Sequence, residues 1–240
     1  MTDILFEYDH ILIRSEYRTP DIHKHLAAHM VFGIKGELTC VVNEDTFKCR
    51  GAFIASDVEH TIYAETGDML LFLLDTTSEM ARTVEESFLH GNAFSMIDPT
   101  TVDIMADIWE NCVDDLKEAD SRLLEACGIE KSVNQVADER VQKVLSFLEN
   151  SDTIPPDIMK RLCSEVCLSE SRLSHLFKGQ KGIALGRYLV LEKMKKGYLH
   201  YCNTGNITEA AMNAGFDSPS HFAATCKRMF GISFSEFIKS

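Results

Sequence analysis

The spacing of apolar residues changes once along this chain. Through residues 4–75 they fall in short runs or alternate with polar residues, as in MVFGIKGELTCVVNEDTFKC, AFIAS, HTIYAE and MLLFLLD. Short runs rich in β-branched and aromatic side chains, separated by turn-forming residues, predict the antiparallel strands of a sandwich or barrel. Asn43-Glu44-Asp45-Thr46 is placed to make a tight turn between two of them. From about residue 98 the interval becomes three or four. Val102, Met105, Trp109, Cys112, Val113 and Leu116 then mark one edge of an amphipathic helix over residues 101–117, with Asp98-Pro99 suited to its start. SRLLEACGI predicts a shorter helix ended by Gly128. No strand pattern follows, so the expected fold is α+β in two domains. Residues 1–130 form a β-domain with its following helices, and residues 138–240 form an all-α domain, joined through the polar stretch GIEKSVNQVADE.

The helical half repeats one plan. DIMKRLCSEVCLSESRLSHLFKGQKGIALGRYL and NITEAAMNAGFDSPSHFAATCKRMFGISFSEFI each read as a short helix, a tight turn, a capping serine, a second helix ending near glycine, and an apolar tail. Ser169 and Ser218 are the expected N-caps, and Gly179 or Gly182 and Gly231 the expected helix ends. This is a helix-turn-helix written twice, bridged by a longer helix around GRYLVLEKMKKGYLHYC. In the first copy Leu173, Leu176 and Phe177 form an inward stripe, leaving Ser171, Ser174, His175 and Lys178 outside. In the second, Phe222, Cys226, Met229 and Phe230 point inward while Ser220, His221, Ala224, Lys227 and Arg228 point outward or flank. A small, polar, cationic face is what a helix needs to enter a major groove, although the solvated face of an ordinary helical bundle has a similar composition.

Charge separates the two halves. The net charge of −13 conceals 10 Lys+Arg against 26 Asp+Glu in residues 1–137, and 14 against 11 in residues 138–240. Only the second half approaches phosphate without strong repulsion. No apolar run reaches the roughly 18 residues needed to cross a bilayer, and the first residues lack a secretory pattern, so a cytoplasmic location without membrane contact is expected. Eight scattered cysteines, none in a CxxC pair, read as reduced core thiols.

Residues 138–240 resemble the DNA-binding region of the AraC/XylS family of bacterial transcription regulators. The resemblance is carried in the second copy by Ile207, Ala211, Gly215-Phe216, Ser218, Ser220, Phe222, Lys227 and Gly231, and in the first by Leu162, Ser169, Leu173, Leu176-Phe177-Lys178, Gly182 and Tyr188. Cys226, Phe234, Phe237 and Gly197 depart from the residues usual there, which are Phe, Pro, Tyr and Ala. The resemblance implies that Ser169, Ser171, Arg172, Ser174, His175, Lys178, Ser218, Ser220, His221, Ala224, Lys227 and Arg228 contact double-stranded promoter DNA. The two recognition helices would then enter successive major-groove segments about 34 Å apart. Arg187, Lys193, Lys195 and Lys196 join Lys178, Lys227 and Arg228 as candidate phosphate contacts. Where many members carry Arg or Gln for base contact, this chain has Ser174, His175, Ser220 and Ala224, which shifts weight toward phosphate contacts, thymine methyls and DNA shape.

In HKHLAAHMVFGIKG the odd-numbered His23, His25 and His29 would share one face of a continuous strand, and His60 could arrive from a facing one. Gathered imidazoles suit a divalent transition metal, the candidate cofactor. The spacing is similar to the motifs of cupin barrels, with His29 where Glu is common and a degenerate second motif. The resemblance implies a cupin-like β-barrel that senses a small organic effector, holds a metal, or is unliganded. Cys40 and Cys49 would lie directly opposite one another if Glu44-Asp45 is a two-residue turn, a redox alternative to two core thiols. Val102, Met105, Trp109, Cys112 and Leu116 are candidates for pairing two protomers as in AraC-like sensor domains, or for packing on their own barrel. The reading is a DNA-binding regulator rather than an enzyme, dimeric, with RNA polymerase as a further partner if it activates, the commoner family outcome. The alternatives are a metal-dependent cupin enzyme with a helical appendage, and a regulator worked by a protein partner.

Overall fold

The computed structural model describes residues 4–15, 21–65, 68–112, 114–130, 136–230 and 234. The chain divides into two compact units, residues 1–132 with 227–240, and residues 133–226. No helix among the described residues is long and apolar enough to cross a membrane.

Among the described residues the first unit has nine strands. β1 (Ile4–Phe6), β2 (His10–Ser15), β8 (Met69–Leu74), β3 (Ala28–Gly33), β6 (Gly51–Ile54) and β9 (Phe94–Met96) lie in that order in one antiparallel sheet. β5 (Asp45–Cys49), β4 (Leu38–Val42) and β7 (His60–Ala64) form a second. The expected cupin-like barrel is thus realised as two sheets whose described strands do not join in one continuous ring. Alternation along the strands explains the layering. Met30 and Phe32 of β3, with Leu12, Phe53, Leu70, Phe72 and Leu74, pack on the helices, whereas Val31, Ala52, Ile54 and Met69 pack against Leu38, Cys40, Val42 and Ile62 of the second sheet.

Helical segments cover the outer face of the larger sheet. α1 (Glu79–Val84), capped by Ser78, runs on through a π-helical turn over Glu85–Leu89, and neither this pair nor β9 shows in the periodicity. α2 (Pro99–Cys112) starts at the expected proline but stops short of the expected end. Asp115 caps α3 (Leu116–Ala126), accepting the N–H groups of Lys117 and Glu118, so Leu116 begins a new helix. Val113 lies outside the described residues. Val102, Met105, Trp109 and Cys112 are buried in the unit's own core, and half-buried Leu116 packs against it. The apolar edge of α2 thus faces its own sheet, the second of the two placements considered for these five residues.

The hairpin between β4 and β5 corrects a register. Asn43 adopts a left-handed φ of 53° and forms the turn with Glu44, so Val42 pairs with Asp45 and Cys40 with Phe47. Asparagine tolerates that conformation, which moves the turn one residue forward of Glu44-Asp45. Cys49 pairs with Leu38 and is only a diagonal neighbour of Cys40, with Sγ atoms 3.9 Å apart.

One buried ion network ties β2 to α3. His10, 1% exposed, bonds Asp9 Oδ1 through Nδ1 at 2.8 Å and Asp120 Oδ1 through Nε2 at 2.7 Å. Two ring nitrogens on two carboxylates require both N–H groups, hence the charged form.

The second unit is helical: α4 (Glu139–Glu149), α5 (Ile158–Val166), α6 (Glu170–Lys181), α7 (Leu185–Thr204), α8 (Ile207–Asn213) and α9 (Pro219–Phe230), whose last turn from Lys227 is grouped with the first unit. The polar joining stretch falls partly outside the described residues, at 131–135. Gly215, at φ +89°, closes α8, and a Cβ there would overlap the Ile154 carbonyl oxygen. Ile154 N–H in turn reaches Ala214 O at 3.4 Å. Gly197 of α7 makes room for the Phe222 ring, which a Cβ would meet at 3.1 Å, a physical reason for glycine where the resembled family has alanine.

Two expectations follow. Burial alone would lower the His10 pKa, but its hydrogen bonds to Asp120 and Asp9 outweigh burial and raise it to about 9. A histidine in the unfolded chain titrates near ~6.5, so the extra stability, about 3 kcal/mol, is complete below that pH and is lost as pH rises through the folded value. Melting followed across this window should show Tm falling in the natural protein, with a lower and flatter profile in His10→Gln. Urea denaturation should separate steric overlap from backbone strain: Gly205→Ala, at φ +68° with open space, loses about 1 kcal/mol, and Gly215→Ala at least about 2 kcal/mol more.

Candidate nucleic-acid interface and histidine cluster

The two helical pairs have the same local chemistry. α5 buries Ile158, Leu162 and Val166, spaced by four, and ends at Cys167 in a left-handed conformation, φ 53°. Ser169 Oγ then accepts the Arg172 N–H at 3.5 Å as the N-cap of α6. α6 ends at Gly182, φ 72°, and not at Gly179. In the second pair Ser218 Oγ accepts the His221 N–H at 3.1 Å at the head of α9. Each serine satisfies one of the donors that a helix start leaves open.

The faces divide as the periodicity predicts, except that Leu176, expected inward, is only half-buried. On α6, Leu173 and Phe177 are buried, Phe177 packing edge-on against Tyr188 at 5.1 Å, while Ser171, Arg172, His175 and Lys178 are exposed and Ser174 is half-buried. On α9, Phe222, Cys226, Met229 and Phe230 are buried, while Ser220, His221, Ala224, Lys227 and Arg228 are exposed. Gly231 and Phe237 lie outside the described residues. Phe216 anchors the second turn, stacking at a tilt on Phe222 at 4.9 Å and meeting the His221 ring edge-on at 5.6 Å. His221 Nδ1 also lies 3.1 Å from an Asp217 carboxylate oxygen.

Lys193 is placed otherwise than expected. Its ammonium donates to Gly215 O at 2.7 Å and sits 5.3 Å above the Phe216 ring. It is a partly buried strut between α7 and the second turn, and burial lowers its pKa. A carbonyl freed at the end of α8 and an aromatic face beside it are the signals that locate it, and neither is visible before the turn is folded.

In the first unit the four predicted histidines do come together, by a different route from the one expected. Only His29 lies on β3; His23 and His25 lie in an irregular segment before it. That segment is fixed by a two-way bridge, His23 N–H to His60 O at 3.0 Å and His60 N–H to His23 O at 2.9 Å, and by Asp57 N–H to His25 O at 2.9 Å. Asp57, at φ 57°, turns the chain into β7, which His60 begins. Ring centroids are 4.7 Å apart for His23 and His60, 5.1 Å for His25 and His60, 4.7 Å for His25 and His29, and 4.6 Å for His29 and His60.

The setting of His25, His29 and His60 disfavours the charged imidazole. Burial and the neighbouring imidazoles of His60 and His23 lower the His25 pKa to about 2. Burial, with His60, His25 and His23 around it, holds His29 well below the ordinary value, and burial lowers His60 to about 4. His23 and His60 donate Nδ1–H to Asp21 O at 2.7 Å and Val58 O at 2.9 Å, which leaves a lone pair on each Nε2. His25 Nδ1 accepts the Ala27 N–H at 3.2 Å. His25 Nε2, His29 Nδ1 and His60 Nε2 are buried without a hydrogen-bond partner among the described residues.

Comparison with known proteins places the helical half. Residues 162–240 match the model of a helix-turn-helix domain. The arabinose operon regulatory protein of Escherichia coli strain K12 is 31% identical over 111 residues, covering 46% of this chain and 38% of that protein. The chain thus spans well under half the length of that relative. The probable transcriptional regulator LumQ of Photobacterium leiognathi is 24% identical over 226 residues, covering 88% of this chain and 89% of that protein. ToxT of Vibrio cholerae O395 superposes over 96% of both chains with a TM-score of 0.50 at 11% identity, a likeness of fold: a β-rich unit followed by a helical one. Two helix-turn-helix pairs with matching caps and faces, and the similarity to these regulators, agree with the AraC/XylS resemblance of residues 138–240.

Proposed function

We propose that this protein is an effector-controlled, DNA-binding transcription regulator of the cytoplasm. The observation that carries the reading is the pair of recognition helices, α6 and α9, each pinned by buried aromatics and each presenting small polar and cationic side chains to solvent. Ser171, Arg172, Ser174, His175 and Lys178 in α6, with Ser169 at its cap, and Ser220, His221, Ala224, Lys227 and Arg228 in α9, with Ser218 at its cap, are the DNA contacts in this reading. The resembled family's commoner outcome is activation, with RNA polymerase as the further partner and a dimer as the working form. A dimer would use a surface other than the buried edge of α2.

The recognition faces are chemically modest. Lys178, Lys227, Arg228 and Arg172 supply attraction to phosphate, which depends on counterion release and falls steeply with salt. The short side chains of Ser220 and Ala224 make no bidentate base pairing, while Ser and His in α6 offer single hydrogen bonds and Ala224 a methyl contact for thymine. Asp217, beside His221, and Glu170, in the first turn of α6, add negative charge at the helix starts. Affinity is therefore moderate and strongly salt-dependent in this reading, with part of the discrimination taken from DNA shape.

The effector belongs to the first unit, where the histidine cluster is the concentration of unpartnered buried polar atoms. The enzyme alternative has no support in the family, whose compared members are regulators.

A binding selection with random duplex DNA and the full chain tests the reading. Enrichment of a defined sequence is expected. On that sequence Lys227→Ala should weaken binding at all variants alike and reduce the salt slope by about 1, whereas His175→Ala should cost about 1–3 kcal/mol and relax preference at a few positions. Absence of any enriched sequence, with and without added metal or extract-derived ligand, would sink it.

A further inference from the structure

We propose that His23, His25 and His60 form a binding site for a divalent first-row transition-metal ion, bordered by His29, and that this ion is the regulator's effector. The effector role rests on the DNA-binding reading above; the site itself does not.

The chain provides its own contrast. It buries His10 with both ring nitrogens taken by carboxylates. It buries His25, His29 and His60 to 4%, 2% and 2% exposure with one nitrogen each left unpartnered. An unsatisfied buried polar atom costs about 1–3 kcal/mol, and three in one place are a poor way to fill a core. An ion bound at Nε2 of His60 and, after a change of tautomer, at Nε2 of His25 removes that cost for two of them.

Geometry and tautomer choose the class of occupant. One nitrogen from each of His23, His25 and His60 lies within 4.8 Å of the other two, and no other group of three His, Cys, Asp or Glu does so among the described residues. Metal–nitrogen bonds of about 2.0–2.1 Å need these nitrogens to draw in by roughly 1 Å, which ring rotation about a partly exposed His23 permits. A cation finds the Nε2 lone pairs of His23 and His60. His23 and His60 already direct Nδ1–H at backbone carbonyls, the arrangement that fixes the tautomer and aims Nε2 at an ion. His25 makes the one adjustment: its ring proton moves from Nε2 to Nδ1, and the 3.2 Å contact from Ala27 N–H is given up. Imidazole ligation without thiolate or carboxylate suits Zn²⁺, Co²⁺, Ni²⁺ or Cu²⁺ and not Mg²⁺ or Ca²⁺.

The site also joins two stretches of chain. His23 and His25 precede β3 and His60 opens β7, and the backbone bridge between them is the one seen above. An ion held by all three would rigidify that bridge, so the bound and free forms differ in a defined segment.

The test uses the full-length chain, stripped with a chelator and titrated with Co²⁺. The expected result is one equivalent bound, visible absorption bands of a nitrogen-ligated ion, displacement by Zn²⁺, and a higher melting temperature with metal. Co²⁺ affinity should fall at least about tenfold in His23→Ala and in His60→Ala, and stay unchanged in His90→Asn. His23 is only partly buried, so its variant keeps the test alive if the His60 variant folds poorly. No stoichiometric Co²⁺ binding, or binding indifferent to His23→Ala, overturns the site. On the DNA sequence enriched above, Zn²⁺ should change affinity at least about tenfold against chelator, and a change under about twofold overturns the effector role. If no DNA sequence is enriched, the regulator reading fails, and the Co²⁺ titration still decides the site alone.

Discussion

The alternation of β3 between two covered faces is the constraint on which the first unit depends. Met30 and Phe32 project toward the helices and His29 and Val31 toward the second sheet. A shift of one residue would exchange them, driving His29 into the helix-facing core and Met30 into the histidine cluster. The same register, carried through β8 and β6, places Leu73 opposite His29 and Ile54 on its other side. The helices α2 and α3 are consequences of this arrangement. They exist as amphipathic elements because a whole sheet face needs cover, and α3 is held down by the Asp120 carboxylate on His10 as well as by its apolar edge.

Much of the helical half is legible in the sequence because its rules are local. Ser169 and Ser218 cap helices they immediately precede, and buried positions recur at helical intervals, so faces can be assigned without knowing the partner. What is not legible there depends on pieces brought together by folding. Lys193 looks like any exposed cation until Gly215 O and the Phe216 ring stand beside it, and Gly197 looks like a weakness until Phe222 needs the space. In the first unit the odd spacing of the histidines suits a strand, yet His23 and His25 lie outside β3 and reach the cluster through pairing with His60. The cysteine hairpin shows the same limit. Its register turned on whether the two-residue turn began at Asn43 or Glu44, a matter of one φ angle. The short α1, its π-helical turn and β9 carry too few residues to set a period at all.

The two buried histidine environments of the first unit put one residue type to opposite uses. His10, between two carboxylates, stays charged and fastens a strand to a helix. The other cluster, with imidazoles crowding one another, keeps ring nitrogens unpartnered among the described residues and pays for that in stability. Burial lowers the charged form in both; the presence or absence of a carboxylate at hydrogen-bond distance decides the outcome. The structural and the candidate sensing roles are therefore separable within one core.

The plainness of the second recognition helix has its own consequence. Ala224 and Ser220 are exposed on α9, while its grip on the unit comes from Phe222, Cys226 and Phe230 on the far side. Longer side chains at those two places would extend outward without disturbing that packing. Such a surface is an open drafting board: a lineage, or an experimenter, can rewrite which operator is preferred one residue at a time, with the fold indifferent to each revision.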